Sequence, residues 1–183
     1  EALDALEDGE CRILEYGVSD DEAFAVGLAC GGTIRIMVEP IYVGKGPTSA
    51  LLTELTEARA SRDAVVYAVD TARWERRLIR AGSGDPLAGT VARRLANDKS
   101  GFETTEGGEI FLGVHNPPLR MIVVGAVHIA QALMPMARLA GYDAALVDPR
   151  DAFGSAARFP GETILNDWPD EALDALGLDA RTA

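Results

Sequence analysis

The chain has 183 residues, 48% hydrophobic and 25% charged, an ordinary balance for a globular protein able to bury a sizeable core. A formal net charge of −12 argues against nucleic acid, whose phosphates need a basic face, and no apolar run reaches the roughly 20 residues that cross a bilayer. With Cys11 and Cys30 as its two cysteines it is no disulfide scaffold; both thiols are expected to be reduced, in a cytoplasmic protein.

The first half reads as mixed α and β. Cys11–Tyr16 is a short strand, followed by a polar turn over Gly17–Asp21. Residues 23–29 and Thr33–Val43 are strands joined by Cys30-Gly31-Gly32. In the second of these, Ile34, Ile36 and Val38 alternate with Arg35, Met37 and Glu39, which predicts one buried face. Pro47 opens a helix running to about Ser61, with an apolar stripe of Leu51, Leu52, Leu55 and Ala58. Strands follow at Ala64–Val69 and Arg76–Ala81. A turn at Gly82–Asp85 and a helix from Pro86 to near Asn97 come next. Phe102–Thr104 and Glu109–Val114 make a hairpin around Gly107-Gly108.

His115-Asn116-Pro117-Pro118 reads as a connector, because paired prolines extend neither a helix nor a central strand. The expected domains are 1–116 and 119–183. The second is a βαβ unit: strand Arg120–Val124, helix His128–Ala140 closed by Gly141, strand Tyr142–Val147. Pro135 should kink the helix. A third strand at Thr163–Leu165 and a helix over Pro169–Leu176 complete the pattern. The hexapeptide Glu1–Leu6 recurs letter for letter at Glu171–Leu176; it is far too short for a structural repeat and reads as two helix-forming segments. The chain opens in such a segment without an initiator methionine, lacks a secretory pattern there, and has few strands for a doubly wound sheet. It is therefore expected to be part of a longer protein.

Two constellations could carry chemistry. Met121–Val124, Gly125, Ala126, Val127 and His128 have the layout of a dinucleotide-binding turn, with Asp148 about where an acidic residue bonds a ribose. The second and third glycines of that fingerprint are Val127 and Ala130, so the spacing predicts the architecture better than the ligand. His128 falls on the first helical turn, facing a ligand or capping free N–H groups. The other constellation is Cys30-Gly31-Gly32-Thr33, where glycines leave backbone N–H groups around a thiol and favour its thiolate. On spacing alone it reads first as a hairpin turn that needs its glycines and happens to carry a cysteine. Lys45 sits in Gly44-Lys45-Gly46-Pro47-Thr48, which lacks phosphate-loop spacing but could meet an anion. Arg73, Arg76 and Arg77 around Trp74 read as a surface strand or helix end. Neither structural-zinc spacing nor a nucleophile–base–orienter set is present.

Together, Tyr16–Asp21, Val26–Thr33 (V-G-L-A-C-G-G-T), Val38-Glu39-Pro40, the tract Val123–Asp148 with Asp148-Pro149-Arg150, Arg158-Phe159-Pro160-Gly161 and Trp168–Leu173 resemble the XdhC/CoxI family. These are accessory proteins of xanthine and carbon monoxide dehydrogenases. The resemblance implies a small mixed α/β domain followed by a Rossmann-like parallel-sheet domain, incomplete in this chain. It also implies a non-catalytic factor that binds molybdenum cofactor, obtains its terminal sulfur with a cysteine desulfurase, and assists insertion into a molybdenum hydroxylase. Cys30 occupies the family's cysteine position and is the implied metal and cofactor contact, flanked by Gly31, Gly32 and Thr33. A soft thiolate suits a metal–dithiolene group. The family's earlier segment with its S-G-G-C-type motif has no counterpart, and its G-A-G-H turn reads Gly125-Ala126-Val127-His128. An NAD(P)-dependent oxidoreductase using Gly125 and Asp148, a docking module without cofactor, and a homodimer sharing a site all stay open.

Overall fold

The computed structural model describes residues 1–19, 24–25 and 31–183, which divide into two units, Glu1–Asn116 and Pro117–Ala183. The first begins with helix α1 (Ala2–Asp8), ended by Gly9 in the left-handed conformation. An antiparallel ribbon follows, β1 (Arg12–Val18) with β2 (Gly32–Val38), in a register that sets Leu14 opposite Ile36 and Tyr16 opposite Ile34. Directly opposed residues share a face, so Leu14, Tyr16, Val18, Ile34 and Ile36 lie together. The alternation was expected to mark a buried face; instead Ile34 is 59% and Ile36 41% exposed. Periodicity specifies that side chains share a face, not that a neighbour covers it. The strand also stops at Val38, because Pro40 and the turn through Gly46 end the pairing. Of the strand expected at 23–29, only Phe24 and Ala25 are described, and both are helical.

The rest of the first unit is α2 (Ser49–Ala60), β3 (Val65–Asp70), β4 (Arg76–Ile79), α3 (Ala88–Ala96), β5 (Gly101–Thr105) and β6 (Gly108–His115). The Thr48 hydroxyl accepts the Leu51 N–H at 3.3 Å and so caps α2. The four strands form an antiparallel sheet in the order β4-β3-β6-β5. Five consecutive residues of β3, Val65 to Val69, are buried on both faces. Val66, Ala68, Ile79 and Leu112 from the sheet pack with Val91 and Leu95 from α3.

The second unit holds β7 (Arg120–Val124), α4 (His128–Leu139), β8 (Asp143–Val147), β9 (Ile164–Leu165) and α5 (Pro169–Leu176). Its strands form a parallel sheet in the order β7-β8-β9, with α4 as the first crossover. Ala130, Met134 and Ala137 put one stripe of α4 into a core shared with Ala144, Leu146 and Phe159; Pro135 lies on the exposed side. The chain is thus mixed α/β with a Rossmann-type second unit. Arg120, 8% exposed, donates to the carbonyls of Leu176 (2.7 Å) and Gly177 (2.9 Å), which tethers the C-terminal end of α5. No helix is long and apolar enough to cross a membrane among the described residues.

Candidate functional site

Residues 181–183 run along the free side of β7. Arg120 N–H donates to Arg181 C=O (2.8 Å), Ala183 N–H to Arg120 C=O (2.9 Å) and Ile122 N–H to Ala183 C=O (2.8 Å), a parallel pairing. β7 therefore has β8 on one side and this segment on the other. The sheet order changes direction at β7, and the ends of its strands are where ligands bind in open parallel sheets. The turn leaving β7 sits at that point.

Gly125 leaves the strand with φ +109°, a conformation that favours glycine, and its N–H donates to Val147 C=O at 2.8 Å. Ala126 is buried. Val127 is the N-cap of α4 with extended backbone and no side-chain cap bond, and exposed His128 is the first helical residue. The uncapped helix start turns its first N–H groups and the positive end of its dipole toward the switch point. Gly125, Val127, His128 and Asp148 are thus brought together. Asp148 does not face outward. At 1% exposed, it accepts from Ala126 N–H (2.7 Å), Arg150 N–H (3.0 Å) and the Arg150 guanidinium (2.9 and 2.8 Å). The Arg150 hydrogen bond, with help from the two N–H groups, holds the Asp148 carboxyl well below the usual carboxylate range against the opposing effect of burial.

Two arginines finish the rim. Arg150 stacks over Phe153 with its guanidinium carbon 4.1 Å from the ring centre. Arg158 donates to Ala126 C=O at 2.8 Å and Phe153 C=O at 2.7 Å. Ala126 is gripped through both its N–H and its C=O. Sequence reasoning noted the D-P-R and R-F-P-G strings but did not place their arginines at the turn; those two strings are the signal that could have done so.

In the first unit Gly31, Gly32 and Thr33 lie at the start of β2, with Gly32 opposite Val18 and Thr33 opposite Gly17. With Tyr16, Gly17, Val18 and Ile34 they line a largely apolar hollow of about 390 Å³. Cys30, the expected cofactor contact and metal ligand, lies outside the described residues. No group of three or more His, Cys, Asp or Glu able to hold a metal ion occurs among the described residues.

The other cysteine belongs to a cluster that spacing did not reveal. Arg76 was expected on a surface element, yet its side chain is 9% exposed. It donates to Glu39 (2.5 Å), to the carbonyls of Trp74 (2.5 Å) and Lys45 (2.7 Å), and to Cys11 Sγ (3.1 Å). The Tyr67 hydroxyl donates to Glu39 at 3.0 Å. Burial pushes the Cys11 thiol up, with Arg76 opposing, so Cys11 is a packed thiol and no activated nucleophile. Lys45 pairs with Glu10 at 2.8 Å instead of standing ready for an anion. For His115, the last residue of β6, burial and then the Arg59 charge push the imidazole pKa below its usual value.

Residues 121–178 match the family model of the XdhC Rossmann domain. A comparison with curated proteins finds no match. Among solved structures, the crystal structure of a xanthine dehydrogenase from Bacillus halodurans at 2.80 Å resolution superposes with a TM-score of 0.68 and 20% sequence identity. The alignment covers 99% of this chain and 55% of that one, so this chain spans about half that protein's length. At this identity the likeness is one of fold.

Proposed function

We propose that this chain, whose second unit carries the XdhC Rossmann domain, is a non-catalytic accessory factor of a molybdenum hydroxylase of the xanthine dehydrogenase type. It binds molybdenum cofactor in the cytoplasm, presents it to a cysteine desulfurase for its terminal sulfur, and hands it to the hydroxylase. The observation that supports this most is the β7–α4 turn at the switch point, within the matched residues 121–178. The donor set suits the phosphate end of such a cofactor: an uncapped helix start, His128 on its first turn, and the arginines 150 and 158 beside it. The Cys30 thiol is the group of suitable softness for the metal–dithiolene end, whose chemistry the bound cofactor itself supplies.

The test is retention. The protein is incubated anaerobically with molybdenum cofactor and gel-filtered, and the protein peak is assayed for molybdenum and for oxidised-pterin fluorescence. Stoichiometric retention by wild type, lost in Cys30→Ala and weakened in Arg158→Gln, is the expected result. No retention by the full-length protein would remove the cofactor from the account and leave a docking module.

A further inference from the structure

The fold of the second unit implies a dinucleotide lying across the switch point, and the residues there do not fit one. A pyrophosphate requires the backbone to come close at the second position of the turn, the reason a glycine stands there in dinucleotide-binding domains. Here the position is Val127, whose branched side chain is 38% exposed at the start of α4. The ribose requires an acidic side chain at the end of the second strand with an acceptor to spare. Asp148 stands at that place. Its two oxygens have about four acceptor sites between them. They already take Ala126 N–H, Arg150 N–H and two guanidinium N–H groups of Arg150.

We infer that the second unit is closed to pyrophosphate-bridged dinucleotides, and that Asp148 has become a positioning residue that locks the turn from inside. The lock is two-sided. Asp148 takes the N–H of Ala126 while Arg158 donates to its C=O, and Ala126 itself is buried. A dinucleotide would have to draw Asp148 out of a buried, fully used set of hydrogen bonds and pass over a valine. A terminal phosphate needs neither, since it can meet the helix end with its own free oxygens.

The experiment has two readouts, neither of which uses the pterin, so failure of the cofactor proposal leaves it standing. First, the full chain is titrated with NAD, NADH and ADP-ribose by calorimetry. No saturable binding up to about 1 mM is expected, and a Kd below about 100 μM for any of them overturns the exclusion. Second, amide hydrogen exchange is followed at Ala126 and at Leu146 in the neighbouring strand. Asp148→Asn should speed exchange at Ala126 by about tenfold or more while Leu146 keeps its protection. Unchanged protection at Ala126 overturns the lock. If Asp148→Asn does not fold, Arg150→Ala carries the second test with the same two amides, since that side chain is 55% exposed and removable.

Discussion

Replacing Arg76 with methionine keeps most of the apolar stem and removes only the guanidinium. That group makes hydrogen bonds to Glu39, Trp74, Lys45 and Cys11, and both members of the ion pair are nearly out of water, at 9% and 11% exposed. Without it, Glu39 keeps the Tyr67 hydroxyl but loses its counter-charge. Removing one partner of a buried pair costs about 3–5 kcal/mol, because an uncompensated charge stays behind. That is at least a fifth of the roughly 5–15 kcal/mol that holds an ordinary domain folded. With a urea m-value of about 2 kcal/mol/M, a loss of 4 kcal/mol lowers the midpoint by about 2 M. The control is Arg35→Met, whose pair with Glu109 is 34% exposed on both sides and should cost no more than about 1 kcal/mol. Adding Glu39→Gln to Arg76→Met should recover about 1–2 kcal/mol, since the stranded charge is then gone. Urea unfolding of the four proteins decides it. An Arg76→Met midpoint no lower than that of Arg35→Met, or a double variant no more stable than Arg76→Met, would refute the reasoning.

Three further outcomes follow from the same geometry. Asp148 has its carboxyl pKa lowered in the folded chain, so its stabilisation is complete above the ordinary carboxylate value and is lost as pH falls below it. Thermal melts between about pH 5 and pH 3 should therefore fall more steeply for wild type than for Asp148→Asn, and parallel slopes would contradict this. Leu146 is fully buried in β8, so Leu146→Ala should cost about 2–5 kcal/mol in chemical denaturation. In a Cys30→Ala background, Cys11 should react with a disulfide reagent far more slowly in native protein than in urea; equal rates would mean that the thiol is not held as described.

The site was legible in outline. A glycine after an apolar run, a helix start at His128 and an acidic residue near the end of the next strand specify a β–turn–α unit through local rules of sterics and periodicity. What Asp148 does was not legible, because its partners include Arg150 and the N–H of Ala126, and only the sheet brings the latter within reach. Spacing alone cannot tell an acid that waits for a ribose from one already spent on the turn. Arg76 failed for the same reason. A polar string around a tryptophan looks solvated until Glu39 and Cys11, 37 and 65 residues earlier, close over it.

The repeated hexapeptide separates the two kinds of information. Glu1–Leu6 and Glu171–Leu176 have identical letters, and both are helical: α1 takes Ala2 onward and α5 holds the second copy whole. Helix formation rests on Ala and Leu losing little freedom and on backbone bonds made within the segment, so the letters determined it. Which face is buried differs. Ala5 is 1% exposed in the first copy, while in the second its counterpart Ala175 is exposed and Ala172 is buried at 0%. Burial depends on which neighbour removes water from which side, and that is a property of the surrounding fold that no six residues contain.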